Sequence, residues 1–348
     1  MAAGQTMTER IKIGLFGAGR IGRRHAQTLA SHIPHAELAV ICDPFPEAAK
    51  AAAEGTRVGK WTTDAEAVLS DSSIRAVAIA SSTDSHAPLI MAAAQAGKDI
   101  FCEKPIALDL PATDAALDAV EAAGVRLQIG FQRRYDKGFR RAKEMIAGGE
   151  LGRIESIRDT MRDPNPPPRD YLATCGGLYR DMTIHNFDNV RWLMGDEVTE
   201  VFAVGTAVVD PMFAELGDID TSIVTLRFAG GGIAVIDNSR RAGFGYDVRT
   251  EIFGSKGALF VGYSRDTPIL HLTPAGVASD HVHWFLERFD QAYVDELRDF
   301  VDSIVHNRPP AITGDDGRAA MVLAYACEAS LKENRPVPLD RFARKAAR

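Results

Sequence analysis

A chain of 348 residues, 46% hydrophobic and 25% charged, holds enough material for two ordinary globular domains. Its 40 basic and 47 acidic residues give a formal charge of −7 without any basic cluster, which excludes a binder of the phosphate backbone and leaves nucleic acid outside the expected partners. No run is apolar enough for a membrane span, the first ten residues lack a signal-peptide core, and Cys42, Cys102, Cys175 and Cys327 form no C-x-x-C pair; a cytoplasmic protein with buried free thiols and no thiolate zinc site is expected.

Ile13, Leu15 and Phe16 read as a short buried strand that runs into Gly17-Ala-Gly19-Arg20-Ile21-Gly22. That is the G-x-G-x-x-G pattern of a dinucleotide turn: the glycines allow a tight bend, close approach of a pyrophosphate and close helix packing, and the next helix points its positive end at the phosphate. The turn alone is weak evidence. A second apolar run, residues 37–42, ends in Asp43, at the spacing from which a carboxylate meets the ribose hydroxyls and repels the extra phosphate of NADP. The expected cofactor is therefore NAD, held by Gly17, Gly19, Arg20, Ile21 and Asp43.

Helical patterns follow at 46–54, 64–69, 85–96 and 111–123, alternating with strand patterns at 76–80, 99–103 and 125–130. Such alternation predicts a doubly wound parallel sheet, whose ligands sit beyond the carboxyl ends of the strands. Two of those ends carry chemistry: Ser81-Ser82-Thr83-Asp84-Ser85-His86 and Glu103-Lys104-Pro105. The serines and threonine suit helix capping and cofactor contact equally.

Beyond residue 131 the pattern changes. A helix is expected at 135–147, then strands at 154–162, 198–208, 222–228, 232–238, 248–253 and 258–261, which predicts an α+β domain with a large, mainly antiparallel open sheet. A face that broad suits coverage by another subunit. Within this half, the proline-dense segment 163–170 reads either as a surface loop or as a stiff rim presenting Arg169 and Asp163, with Tyr246 a weaker candidate of the same type. A helical stretch at 179–194 places Asp181, His185 and Asp188 on one face, either as a solvated stripe or as the wall of a cleft. His271, His281 and His283 lack carboxylates at ligand spacing, so no metal is expected. Two long helices, 283–305 and 315–333, precede a basic tail.

Taken together, these pieces resemble the glucose-fructose oxidoreductase and inositol dehydrogenase family. The likeness rests on the glycine turn with His25, Asp43-Pro44, residues 83–86, Phe101-Cys-Glu-Lys-Pro105 and Asp181-x-x-x-His185. Within the family it is nearest to the inositol 2-dehydrogenases through residues 130–136 and 176–185. The resemblance implies an NAD-binding Rossmann domain over 1–130, a substrate-binding and oligomerisation domain over 131–340, a tail over 341–348, and a dimer of dimers. It implies Lys104, Asp181 and His185 as catalytic groups, with Ser82, Thr83, His86, Glu103, Lys104 and Gln132 at the cofactor. Lys104, Asp163, Arg169, Asp181, His185 and Tyr246 would meet the substrate. Asn186 departs from the pattern, in which an acid more often follows the histidine.

The expected reaction is oxidation of a secondary alcohol of a cyclic polyol, myo- or scyllo-inositol, with His185 as base, Asp181 orienting its ring and Lys104 bonded to the substrate oxygen. An aldopyranose dehydrogenase is the rival substrate reading. An NAD-retaining hydrolase or lyase and a non-catalytic sensor are the rival classes.

Overall fold

The computed structural model describes residues 10–262 and 265–344, which separate into two units. The first runs to Phe131 and takes in Tyr293–Arg318; the second comprises Gln132–Ala292 and the chain from Ala319 onward.

In the first unit, β1 (Ile11–Phe16), α1 (Arg20–Ser31), β2 (Ala36–Cys42), α2 (Pro46–Thr56), β3 (Trp61–Thr62), α3 (Ala65–Leu69), β4 (Ala76–Ile79), α4 (Thr83–Gln95), β5 (Asp99–Glu103), α5 (Leu110–Ala123) and β6 (Leu127–Gly130) alternate as expected. The strands form one parallel sheet in the order β3-β2-β1-β4-β5-β6. Every residue of β4 is buried, as befits a central strand covered on both faces. Local chemistry sets the helix ends: Asp64 and Asp109 accept main-chain N–H groups at the starts of α3 and α5, and Gly124 closes α5 in the left-handed region. The strand order reverses between β1 and β4, so the loops after these two strands flank the crevice where such sheets bind ligands.

The second unit holds α6 (Lys137–Ala147), β7 (Ile154–Arg162), α7 (Arg169–Leu172), α8 (Ile184–Met194), β8 (Val198–Thr206), α9 (Pro211–Glu215), β9 (Thr221–Phe228), β10 (Ile233–Ser239), β11 (Asp247–Gly254), β12 (Gly257–Val261), the hairpin β13 (Leu270–Thr273) and β14 (Gly276–Ser279), and α10 (Phe285–Arg288). After α11 (Asp290–Val305) and α12 (Gly314–Glu333), β15 (Val337–Pro338) joins the large sheet. That sheet runs β12-β11-β7-β10-β9-β8-β15 and is antiparallel except where β7 and β10 pair in parallel. Burial alternates along β9 and β11, so one face lies in the core, and the other exposes Val204, Ile223, Ile233 and Phe253.

Four expectations need correction. The helix expected at 179–194 opens with a π turn, Tyr179–Thr183, before α8 begins. The helix expected at 135–147 starts at Lys137 behind a 3-10 turn, because the Asp136 carboxylate caps Gly138 and Phe139. The helix expected at 283–305 breaks at Phe289, whose buried ring packs edge-on against Tyr246 and beneath the Arg288 guanidinium, taking the backbone out of register. Most of α11 belongs to the first unit, not to a contiguous 131–340 domain, because Leu297, Phe300, Val301 and Ile304 complete the core built on β1, β2 and β4. Of the tail expected at 341–348, residues 345–348 lie outside the described residues.

Candidate active site

In the first unit the glycine turn has the geometry that its spacing predicts. Gly17 sits at φ +99°, and a Cβ there would stand 2.4 Å from the Ala80 carbonyl oxygen. A Cβ on Gly22 would meet the Gly17 carbonyl oxygen at 2.0 Å, so α1 packs against the turn only because Gly22 has none. Gly19, the N-cap of α1, faces open space. That helix has no acid in its first turn and no side-chain cap, leaving its terminal N–H groups and dipole for an anion. Asp43 is buried at the end of β2; Oδ2 accepts the Ala18 N–H at 2.7 Å and Oδ1 the Phe45 N–H at 2.9 Å. It thus ties the second strand to the glycine turn as well as capping its own. Arg20 is exposed and Ile21 half-buried beside it. A dinucleotide fits this cradle: the space beside Gly19 is what a side chain would fill and a pyrophosphate needs.

The loop after β4 places Ser82 exposed at the N-cap of α4 without a side-chain cap bond, and Thr83 half-buried at its first position. His86 is buried, with Nδ1 2.8 Å from the Pro105 carbonyl and Nε2 3.2 Å from that of Ser81; it stitches this loop to the one after β5. Burial lowers its pKa despite the two carbonyls that favour the charged ring. At the end of β5, Glu103 takes a 2.7 Å hydrogen bond from His25 on α1, and half-buried Lys104 follows, joined to Pro105 by a cis peptide.

In the second unit the structure brings Asp163 and Asp181 together through a residue that sequence reasoning missed. Arg240, 2% exposed, donates from Nη2 to Asp181 at 2.9 Å and from Nη1 to Asp163 at 3.4 Å. The parallel pairing of β7 and β10 explains the meeting, since Asp163 and Arg240 each stand one residue past a strand end, and the Asp163 N–H donates to the Ser239 carbonyl. Burial opposes the Arg240 charge, but the Asp181 and Asp163 carboxylates outweigh it and hold the guanidinium above its ordinary pKa. Tyr171 donates its hydroxyl to the other Asp181 oxygen at 2.7 Å; burial first, then the carboxylate, keep that phenol protonated. The Asp181 carboxylate is thus held from both sides. It lies in the π turn, whose extra residue departs from regular i, i+4 spacing, and His185 lies just past it in the first turn of α8. Gly176 and Gly177, both at positive φ, form the bend that enters the turn.

Beneath His185 a buried polar network locks α8 to the sheet. Asn186 donates to Asp159 at 2.9 Å and accepts from Asn238 at 3.1 Å, while Thr183 donates to Asn238 and Thr250 to Asp159. Burial raises the Asp159 pKa against the pull of Arg133 and these donors. Asn186 is fully buried within this network. An acid at this position would face the Asp159 carboxylate.

The other candidates take different places. Asp188 binds Arg134 through both oxygens, at 2.9 and 2.5 Å, and does not extend a catalytic stripe. Arg169 pairs with Glu215 on the surface at 2.6 Å. Tyr246 is buried among the rings of Phe289 and Trp284, and burial raises its pKa. Gln132 is buried in the 3-10 turn that opens the second unit. Cys42, Cys102, Cys175 and Cys327 are free and buried, as expected. No helix among the described residues is long and apolar enough to cross a membrane.

Comparison with known proteins finds matches to both halves of the chain. Residues 11–131 match the model of an oxidoreductase family with an NAD-binding Rossmann fold, and residues 139–260 match the GFO/IDH/MocA C-terminal domain. The uncharacterized oxidoreductase YrbE of Bacillus subtilis is 45% identical over 96% of this chain and 98% of its own length. The myo-inositol 2-dehydrogenase of Thermotoga maritima is 42% identical over 95% of this chain and 99% of its own. The crystal structure of a scyllo-inositol dehydrogenase from Lactobacillus casei, with bound NAD(H) and scyllo-inositol, superposes with a TM-score of 0.89 at 31% identity, covering 95% of this chain and 100% of that one.

Proposed function

Because this chain belongs to the GFO/IDH/MocA family of NAD-binding oxidoreductases, we propose that it oxidises a secondary alcohol of a cyclic polyol, myo- or scyllo-inositol first among them, to the ketone. The single observation that carries the chemistry is the Asp181 carboxylate, held by Tyr171 and Arg240 one turn before His185.

Bound NAD+ supplies the hydride acceptor. His185 takes the hydroxyl proton, a task suited to a side chain whose ordinary pKa is about 6.5. Asp181 orients the imidazole and offsets the positive charge that it gains. Its own position is fixed, so little reorganisation accompanies proton transfer. Lys104 donates a hydrogen bond to the substrate oxygen as alkoxide character grows, the role that the family resemblance gives it. Gly17, Gly19 and the first turn of α1 would hold the pyrophosphate, and Asp43 the adenosine ribose; a carboxylate there disfavours the 2′-phosphate of NADP. Asp163, clamped with Asp181 by Arg240, is the further polar group available to the ring hydroxyls.

The assembly we propose is a dimer of dimers in the cytoplasm; the exposed apolar residues on the outer face of the large sheet, Val204, Ile223, Ile233 and Phe253, support a homo-oligomer built on that face. Light scattering reads the assembly directly.

A panel of inositols and aldoses, each with NAD+ or NADP+ and followed by formation of reduced cofactor, tests the reading. Turnover of an inositol with NAD+ is the expected result. Preference for an aldopyranose moves the substrate, preference for NADP+ overturns the role of Asp43, and absence of net reduced cofactor with any polyol overturns the dehydrogenase reading.

A further inference from the structure

Behind Lys104 lies a cluster that the reaction does not use. His25 from α1, Glu103 from β5 and Glu296 from α11 place one polar side-chain atom each within 4.8 Å of one another. His25 and Glu296 are fully buried, and the Glu103 side chain is 13% exposed. His25 directs Nε2 to Glu103 at 2.7 Å, while its Nδ1 meets no hydrogen-bond partner. Glu296 is the anomaly: neither of its carboxylate oxygens has a hydrogen-bond donor, and it enters no ion pair among the described residues. An ionised carboxylate in that position would be buried beside a second carboxylate, with no donor of its own to offset the charge.

We propose that Glu296 is a positioning residue that remains a neutral carboxylic acid, directs its O–H toward Glu103, and so completes a His25–Glu103–Glu296 chain that fixes the end of β5 bearing Lys104. With the proton on Glu296, the cluster carries one negative charge, on Glu103, which receives a donor from each side. Among the described residues, His25 from α1 and Glu103 from β5 are the titratable groups that cluster with Glu296. From β6, Gln128 donates its amide to the Glu296 main-chain carbonyl, and on α11 itself Tyr293 packs its ring against that of His25. Burial first, and then the Glu103 charge, push the Glu296 pKa well above the usual carboxylate range, in agreement with the geometry.

Linkage gives the sign. For an acid whose pKa rises on folding, the folded state holds the proton more tightly, so stability is fully present below the unfolded pKa of about 4.3 and falls as pH rises toward the folded value. Glu296→Gln removes that titration and keeps an N–H donor in place. The proposal depends on the role given to Lys104 only in its kinetic arm; the two physical arms use the protein without cofactor or substrate, so failure of one reading is distinguishable from failure of the other. In infrared difference spectra at neutral pH, wild type minus E296Q shows the carbonyl stretch of a protonated carboxyl. In thermal melts, E296Q gains on the wild type as pH is raised. In turnover, Glu296→Ala loses roughly tenfold in kcat, the worth of one charge-assisted hydrogen bond, while E296Q restores it and keeps the wild-type pH profile. Absence of the carboxyl band, or an E296Q protein that melts below the wild type at neutral pH, overturns the proposal. So does one equivalent of a metal ion bound by the wild type and lost in E296Q, since the balancing charge would then be a cation.

Discussion

Replacing Arg240 by methionine, close to it in length but without charge, leaves the Asp163 and Asp181 carboxylates buried, near one another and without the guanidinium that bonds both. Removing one partner of a buried ion pair costs about 3–5 kcal/mol, mostly because the abandoned charge remains in a poorly solvated place. Arg240 is 2% exposed and serves two acids, so the lower end, about 3 kcal/mol, is a conservative expectation for stability. The catalytic loss follows from position. Asp181 keeps the Tyr171 bond but loses its other anchor, and misplacement of a group that must be held to within about 1 Å costs on the order of 10²-fold in rate. R240M should therefore unfold at lower denaturant concentration and lose about 10² in kcat/KM for the best inositol. The double variant D163N/R240M, with one buried charge fewer, should recover part of the stability but not the rate. The measurements are urea unfolding followed by circular dichroism and initial rates of NADH formation. An R240M protein that unfolds with the wild type and turns over within about twofold of it refutes the clamp.

Three further outcomes follow from the same structure. Gly19→Ala places its Cβ in open space, so the protein should melt like the wild type yet bind NADH more weakly by fluorescence titration; Gly22→Ala drives a Cβ into the Gly17 carbonyl and should lower the melting temperature itself. Lys104→Met should retain NADH binding and lose about 10² to 10³ in kcat, the loss typical of removing one donor to a developing oxyanion. Asn186→Asp sets a carboxylate against Asp159, 2.9 Å from the present amide, and should cost about 2–4 kcal/mol at neutral pH. That cost should shrink in acid, where the pair takes up a proton, and denaturant titrations at two pH values read the difference.

What could be read from the chain alone was local or periodic. The Gly17–Gly22 spacing, the acid at Asp43 and the alternation of strands and helices each follow from rules acting within about 20 residues. The second half was legible as strands for the same reason: period-two burial shows in β9 and β11. Arg240 was not legible because it becomes meaningful only through the parallel β7–β10 pairing, a relation between residues 77 apart that no local pattern encodes. Its one signal was a charge standing immediately beyond a strand end, as Asp163 does. The π turn is invisible to helical periodicity, which assumes regular spacing. Nothing in the helical pattern at 283–305 sets Glu296 apart from its other acids, and only the return of α11 to the first core buries it.

That return also governs how the nucleotide-binding half is made. A ribosome that has synthesised only as far as Phe131 has produced every strand of the parallel sheet but not Leu297, Phe300, Val301 or Ile304, so the nascent sheet carries an unfilled apolar groove until those residues emerge. Gene fragments ending near residue 131 are thus poor candidates for independent expression, and chimaeras that exchange nucleotide-binding halves between relatives must carry residues 293–318 with them.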